Sequence, residues 1–151
     1  MTTRATQLSE VEFFEGLTNA QLEGIADLCE EVSGQEGEIL FFEAHKADSI
    51  YVLLEGEIHI FTQLSSRPER ITMSVIDEPY QIFSWSGLVA PFYHTASALC
   101  KTDSRMWKIN GQDLIQLLEI DPSLCSMVFK RLTQVISTRL RHTRVVLSEA
   151  S

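Results

Sequence analysis

The side chains that invite a chemical reading in this 151-residue chain are four histidines, three cysteines and a serine set between a tryptophan and a glycine. Imidazoles projecting into a barrel ligate iron, manganese or zinc, as in a metal-dependent enzyme of the cupin type. Such a site needs a His-x-His pair followed by Glu and a later His, whereas His45 and His59 stand fourteen residues apart with no paired neighbour. His59, between Ile58 and Ile60, reads as a strand residue facing solvent or as a hydrogen-bond partner, and His142 among arginines reads as exposed. Cys29, Cys100 and Cys125 are odd in number and form no Cys-x-x-Cys, which excludes a disulfide framework and a zinc knuckle and fits a reducing, cytoplasmic setting. Ser86 in Trp85-Ser86-Gly87 has no Gly-x-Ser-x-Gly context and no local base, so its expected task is to cap a short helix. Phosphate-binding Gly-rich loops are also missing, and the chain reads as non-enzymatic.

The stretch that remains chemically distinctive runs from Pro79 to Cys100. It holds no Asp, Glu, Lys or Arg, but Tyr80, Phe83, Trp85, Phe92 and Tyr93 all fall in it. Two readings follow. The rings and the hydroxyls of Ser84, Ser86 and Thr95 grip a planar or mostly apolar ligand, or the rings fill the space and serve packing or a dimer contact.

Elements must position that stretch. Ser9 with Glu12 and Thr18 with Gln21 are spaced as capping boxes, which predicts two helices over about 9–30, the second from Asn19 to Glu30 with Cys29 packed as a small thiol. From Glu31 the pattern turns to short apolar runs between turn residues. Strands are expected at Gly37–Phe42, Ile50–Leu54, Ile58–Phe61, Arg70–Ile76, Thr95–Leu99 and Arg105–Ile109, with Glu55-Gly56 as a hairpin turn and Leu64–Glu69, including Arg67, as a polar loop. That density of strands over 31–109 predicts a mainly β domain, an antiparallel barrel or double-sheet jelly roll. Over 110–148, Asn110 with Asp113 starts a helix to Ile120. Asp121-Pro122 starts a second to about Leu147, with Cys125, Phe129, Leu132, Ile136, Leu140, Thr143 and Leu147 on one side and Val128, Val135 and Val146 in a flanking row. So long an apolar stripe predicts a homodimer through this helix, with packing onto its own barrel as the other possibility.

One domain of 1–151 is expected from length and composition. The net charge is −9 and is lopsided, with thirteen acids and only Lys46 over 10–57, against Lys130, Arg131, Arg139, Arg141 and Arg144 with no acid over 122–148. The basic run reads as a solvated face or a contact for an acidic partner. Neither a leader segment nor a membrane span is recognisable.

The order of these elements and one string carry a resemblance. Phe14-x-Gly16-Leu17, Gly37-Glu38-Ile39-Leu40-Phe41 and Ala47-Asp48-Ser49-Ile50-Tyr51-Val52-Leu53-Leu54-Glu55-Gly56-Glu57-Ile58 resemble the cyclic nucleotide-binding domains of the catabolite activator and Fnr regulator family. The resemblance implies that family's jelly roll with flanking helices and a ligand-sensing regulatory role. It aligns the ligand cassette with Phe83-Ser84-Trp85-Ser86-Gly87-Leu88 and His94-Thr95-Ala96, and places Tyr51 beside it. Trp85 then stands where an acid holds the ribose, His94 or Thr95 where Arg neutralises the phosphate, Ser84 where the family has glycine, and Glu43-Ala44-His45 where Gly and an acid are usual. A phosphate monoanion needs a fixed cation, so another small ligand, or none, is expected in place of cyclic AMP or GMP. Haem, which some members hold here through His, has only His94 and Cys100 to draw on. The family's DNA-reading module needs several tens of residues after the long helix. With the sequence stopping at Ser151, direct DNA contact is not expected and an unidentified downstream protein is. The alternatives are a ligand-free dimerisation scaffold and, more remotely, the cupin-like enzyme.

Overall fold

The computed structural model describes residues 2–66 and 68–150; Met1, Ser151 and Arg67 lie outside the described residues. The first helix, α1 (Thr3–Leu8), starts at Thr2, whose hydroxyl accepts the Ala5 N–H. Ser9 closes this helix and does not open the one expected there, because the fully buried Val11 takes an extended backbone and the chain then makes only a 3-10 turn over Glu12–Phe14. Burying Val11, Phe13 and Phe14 outweighs the local capping signal. The Thr18 and Gln21 box is formed in both directions and starts α2 (Asn19–Ala26), which ends short of the expected Glu30.

The chain instead enters a strand the sequence pattern does not suggest, β1 (Cys29–Gly34). The others are β2 (Ile39–Phe41), β3 (Ser49–Glu55), β4 (Ile58–Gln63), β5 (Arg70–Ile76), β6 (Ile82–Phe83), β7 (Ser97–Cys100) and β8 (Ser104–Asn110). They form two four-stranded sheets, ordered β1-β8-β3-β6 and β2-β7-β4-β5, with every pairing antiparallel. Glu55-Gly56 is therefore not a hairpin. It is the corner at which the chain leaves one sheet for the other, with Gly56 at φ +114° and any Cβ there meeting the Ser104 backbone. The result is a jelly roll whose inner faces bury Leu53, Ile58, Ile76, Phe83 and Met106.

A larger apolar cluster joins the roll to the helices through Phe13, Phe14, Ile25, Trp107, Leu114 and Leu118. Asn110 caps α3 (Gly111–Ile120), and Asp121 caps α4 (Pro122–Ala150) by accepting the Leu124 N–H at 3.0 Å. At 29 residues, α4 is about 43 Å long. Its buried row is Leu124, Val128, Leu132 and Val135, roughly a quarter-turn from the expected stripe. Of that stripe Leu132 is buried and Cys125 and Ile136 pack partly, while Phe129 and Leu140 face solvent. Among the described residues no helix is long and apolar enough to cross a membrane.

Candidate functional site

The cassette begins where β6 ends. Ser84 sits in the left-handed region at φ 65° and ψ 53°, and Ala44 in the facing loop has φ 69°. The resemblance leads one to expect glycine at Ser84 and within Glu43-Ala44-His45, and at Ser84 and Ala44 the backbone has a glycine conformation that the side chains must tolerate. Ser84 is tied down by donating its hydroxyl to the Ser49 carbonyl at 3.2 Å, with His94 Nδ1 at 3.4 Å.

A 3-10 turn, Trp85–Leu88, follows. Ser86 is inside this turn and caps nothing; Ser84 holds the cap position, but its hydroxyl makes no capping bond to the turn. A Cβ at Gly87 would lie 2.9 Å from the Ser49 backbone, and one at Gly111 would strike the Gly87 carbonyl, so the turn is wedged between β3 and α3. Four residues of 3-10 helix carry little dipole, so the turn offers little attraction to an anion through its backbone.

His94 is 7% exposed and lies flat on Phe41, with ring centroids 3.9 Å apart and planes 9° off parallel. Phe41 also faces Tyr51 at 6.0 Å, and Tyr51 stacks on Phe83 at 5.3 Å. Burial lowers the His94 pKa from its ordinary value, more than the opposing Asp48 charge raises it, and His45 adds to the lowering. This imidazole is a neutral ring in an aromatic stack.

The structure brings Ser84, Trp85, Ser86, His94, Thr95 and Ala96 around one cavity, with Phe41 and Ile60 also in its walls. Tyr51 and Phe83 belong to the stack, and Gly87 and Leu88 pack elsewhere. The cavity measures about 40 Å³. That is room for a water or two, whereas small-molecule pockets run to roughly 300–1,000 Å³.

One further wall is Arg139 of α4, which the sequence reading left on a solvated face with Arg141, His142 and Arg144. Those three are exposed. Arg139 is not: its guanidinium donates to the Ile82 carbonyl at 2.8 Å and lies 5.1 Å from the centre of the Trp85 ring. Burial depresses its pKa, and among the described residues no carboxylate pairs with it. Its spacing held the signal. Arg139 follows Val135 by four residues and Leu132 by seven, which continues the buried row.

Cys29 and Cys100 are buried thiols whose pKa values burial pushes up to about 12 and about 11. His59 is held by Glu57 at 2.6 Å. No group of three or more His, Cys, Asp or Glu among the described residues is arranged to hold a metal ion.

A family model for the cyclic nucleotide-binding domain matches residues 31–121. The fold is similar to that of a Geobacter metallireducens protein described as cyclic nucleotide-binding, at 32% identity and a TM-score of 0.79, covering 93% of this chain and 99% of that one. A cyclic nucleotide-binding domain from Methylobacillus flagellatus superposes with a TM-score of 0.80 at 16% identity, covering 98% and 82%. The sensor domain of the transcriptional regulator DNR from Pseudomonas aeruginosa does so at 0.74 and 18%, covering 90% of each chain. Comparison with curated proteins finds no match.

Proposed function

Because the chain belongs to the cyclic nucleotide-binding domain family, we propose that it is a non-enzymatic regulatory domain which senses a small ligand other than a cyclic nucleotide and answers through α4. The observation that carries this reading is Arg139, which links the helix to the sensing segment at both Ile82 and Trp85. A shift at either contact is transmitted to a rigid 29-residue lever. The domain works as a cytoplasmic homodimer through the exposed apolar flank of α4 and acts on a downstream protein, for which Arg141, His142 and Arg144 offer a basic surface to an acidic partner. The three free cysteines support a reducing compartment.

Cyclic AMP and cyclic GMP fit this site poorly. Trp85 and the neutral His94 replace an acid and a cation, and the stack of Phe41, His94, Tyr51 and Phe83 occupies the interior. That same filling favours a second reading, a ligand-free dimerisation scaffold. Calorimetric titration with both nucleotides, followed in parallel by Trp85 and Trp107 fluorescence, tests the exclusion. No saturable heat up to millimolar ligand is expected, and micromolar binding would show that hydroxyls and backbone donors replace the missing arginine.

A further inference from the structure

Outside the cassette, α4 helps to enclose a cleft of about 390 Å³, between the Glu12–Phe14 turn, the Glu78–Ile82 segment and one flank of α4. Its size falls in the range of small-molecule pockets, as that of the cassette cavity does not. Its floor is apolar, made of Phe13, Tyr80, Ile82 and Val135. Arg139 lines this cleft as well as the cassette cavity, and is the one residue shared by both. We infer that this cleft is the ligand site of the domain and that it takes a small monocarboxylate with an apolar body, the carboxylate engaging Arg139.

The argument rests on the regulatory reading above and adds to it a place and a chemistry. A half-buried guanidinium with only a carbonyl and a ring for partners has lost part of its hydration without gaining a counter-ion. A carboxylate supplies that counter-ion and accepts two parallel N–H bonds from the planar fork. Arg131, the other cation of the cleft, already faces Glu15 at 4.0 Å. Glu10, Glu12 and Glu78 stand exposed around the rim, and three negative charges there repel a polyanion far more than a monoanion. Access is compatible with dimerisation. On a helix turning about 100° per residue, Gln134 and Thr138 of the cleft lie roughly opposite Phe129, Ile136 and Leu140. The Ile82 carbonyl takes only one of the five guanidinium N–H donors of Arg139, so a carboxylate that engages the others acts on the same side chain that couples α4 to the cassette.

The test is an amide-resolved NMR titration of the labelled protein with 3-phenylpropionate and, as a neutral match, 3-phenylpropanamide. Saturable shifts are expected at Tyr80, Gln81, Ile82 and the Arg139 side chain with the carboxylate, and at least about tenfold weaker binding of the amide. Arg139→Gln removes the preference for the carboxylate; Glu78→Gln, at an exposed position that does not threaten folding, tightens carboxylate binding. Equal binding of the two probes, no saturable shift with the carboxylate, or affinities unmoved by both substitutions overturns the cleft. Shifts confined to Ser84–Ala96 also overturn it but leave the sensor reading standing, because a ligand there still reaches α4 through Trp85.

Discussion

His94 takes its chemistry from neighbours that lie far from it in the chain. The resemblance aligns His94 or Thr95 with a phosphate-binding arginine, but the sequence does not show the setting of the imidazole, because its burial and the parallel face of Phe41 come from distant parts of the chain. The cation beside the cassette was less visible still. Arg139 stands more than forty residues further along the chain and reads as one of a basic run until the register of α4 is known. The titration of His94 has a definite sign. A folded pKa held below the ordinary value of about 6.5 means that the unfolded chain binds the proton more readily. The stability His94 contributes is full above that value and is lost as the pH falls from it through the lower, folded pKa. Thermal melts between mildly acid and neutral pH should therefore show wild-type protein losing stability on acidification faster than His94→Gln. Parallel curves for the two proteins would mean that the imidazole takes up its proton as freely in the fold as outside it.

At the scale of elements, legibility followed how much each segment decides for itself. The Thr18–Gln21 box, the Asn110 cap and the Asp121-Pro122 start are local and were readable, as were strands such as β3 that are short apolar runs between turn residues. Edge strand β1 was not, since Glu30 and Glu31 face solvent and leave no period-two signal. The two-residue β6 is too short to carry a pattern, and Gly56 announced a turn without saying that the turn changes sheets. How the cassette turn is seated is decided by two glycines. Gly87 packs on the Ser49 backbone and its carbonyl fills the space a Cβ at Gly111 would need, and neither neighbour is a flexible side chain that can move aside. Gly111→Ala is expected to destabilise the domain by about 1–3 kcal/mol through overpacking. Gly24 in α2 is the internal control, for a Cβ there makes ordinary contact with Leu117 at 3.5 Å and Gly24→Ala should stabilise by roughly 0.5–1 kcal/mol. Denaturant midpoints measure both, and a neutral Gly111→Ala would mean that the cassette turn is not clamped by α3.

For the whole molecule the question is what α4 does with its free flank. Its inner row is satisfied by the roll and the other helices, with Leu124, Val128 and Leu132 at 1%, 0% and 2% exposure, so the domain does not need a partner to cover that side. Phe129 and Leu140 have no such cover, at 38% and 63%, and Ile136 lies between them on the same flank with only partial packing. Residues spaced by seven and four along one helix are what a two-fold partner of the same sequence matches residue for residue. Leu140 is also the neighbour of Arg139, so any turn or slide of α4 that accompanies a change at Trp85 re-aims the contact surface by the same motion. The purified protein is expected to run in light scattering at twice the 17.1 kDa chain mass. Leu140→Glu should halve that mass while leaving the melting temperature of the separated chains close to that expected for a surface change, because the side chain contributes little to the fold of its own chain. Leu132→Glu, eight residues earlier in the buried row, should instead unfold the domain. If Leu140→Glu remains a dimer, the two-fold lies on another face and α4 must signal along its own axis to whatever it meets. If it becomes a folded monomer, a ligand that moves Arg139 must alter the dimerisation constant, and by linkage the dimer must alter the affinity for that ligand by the same factor.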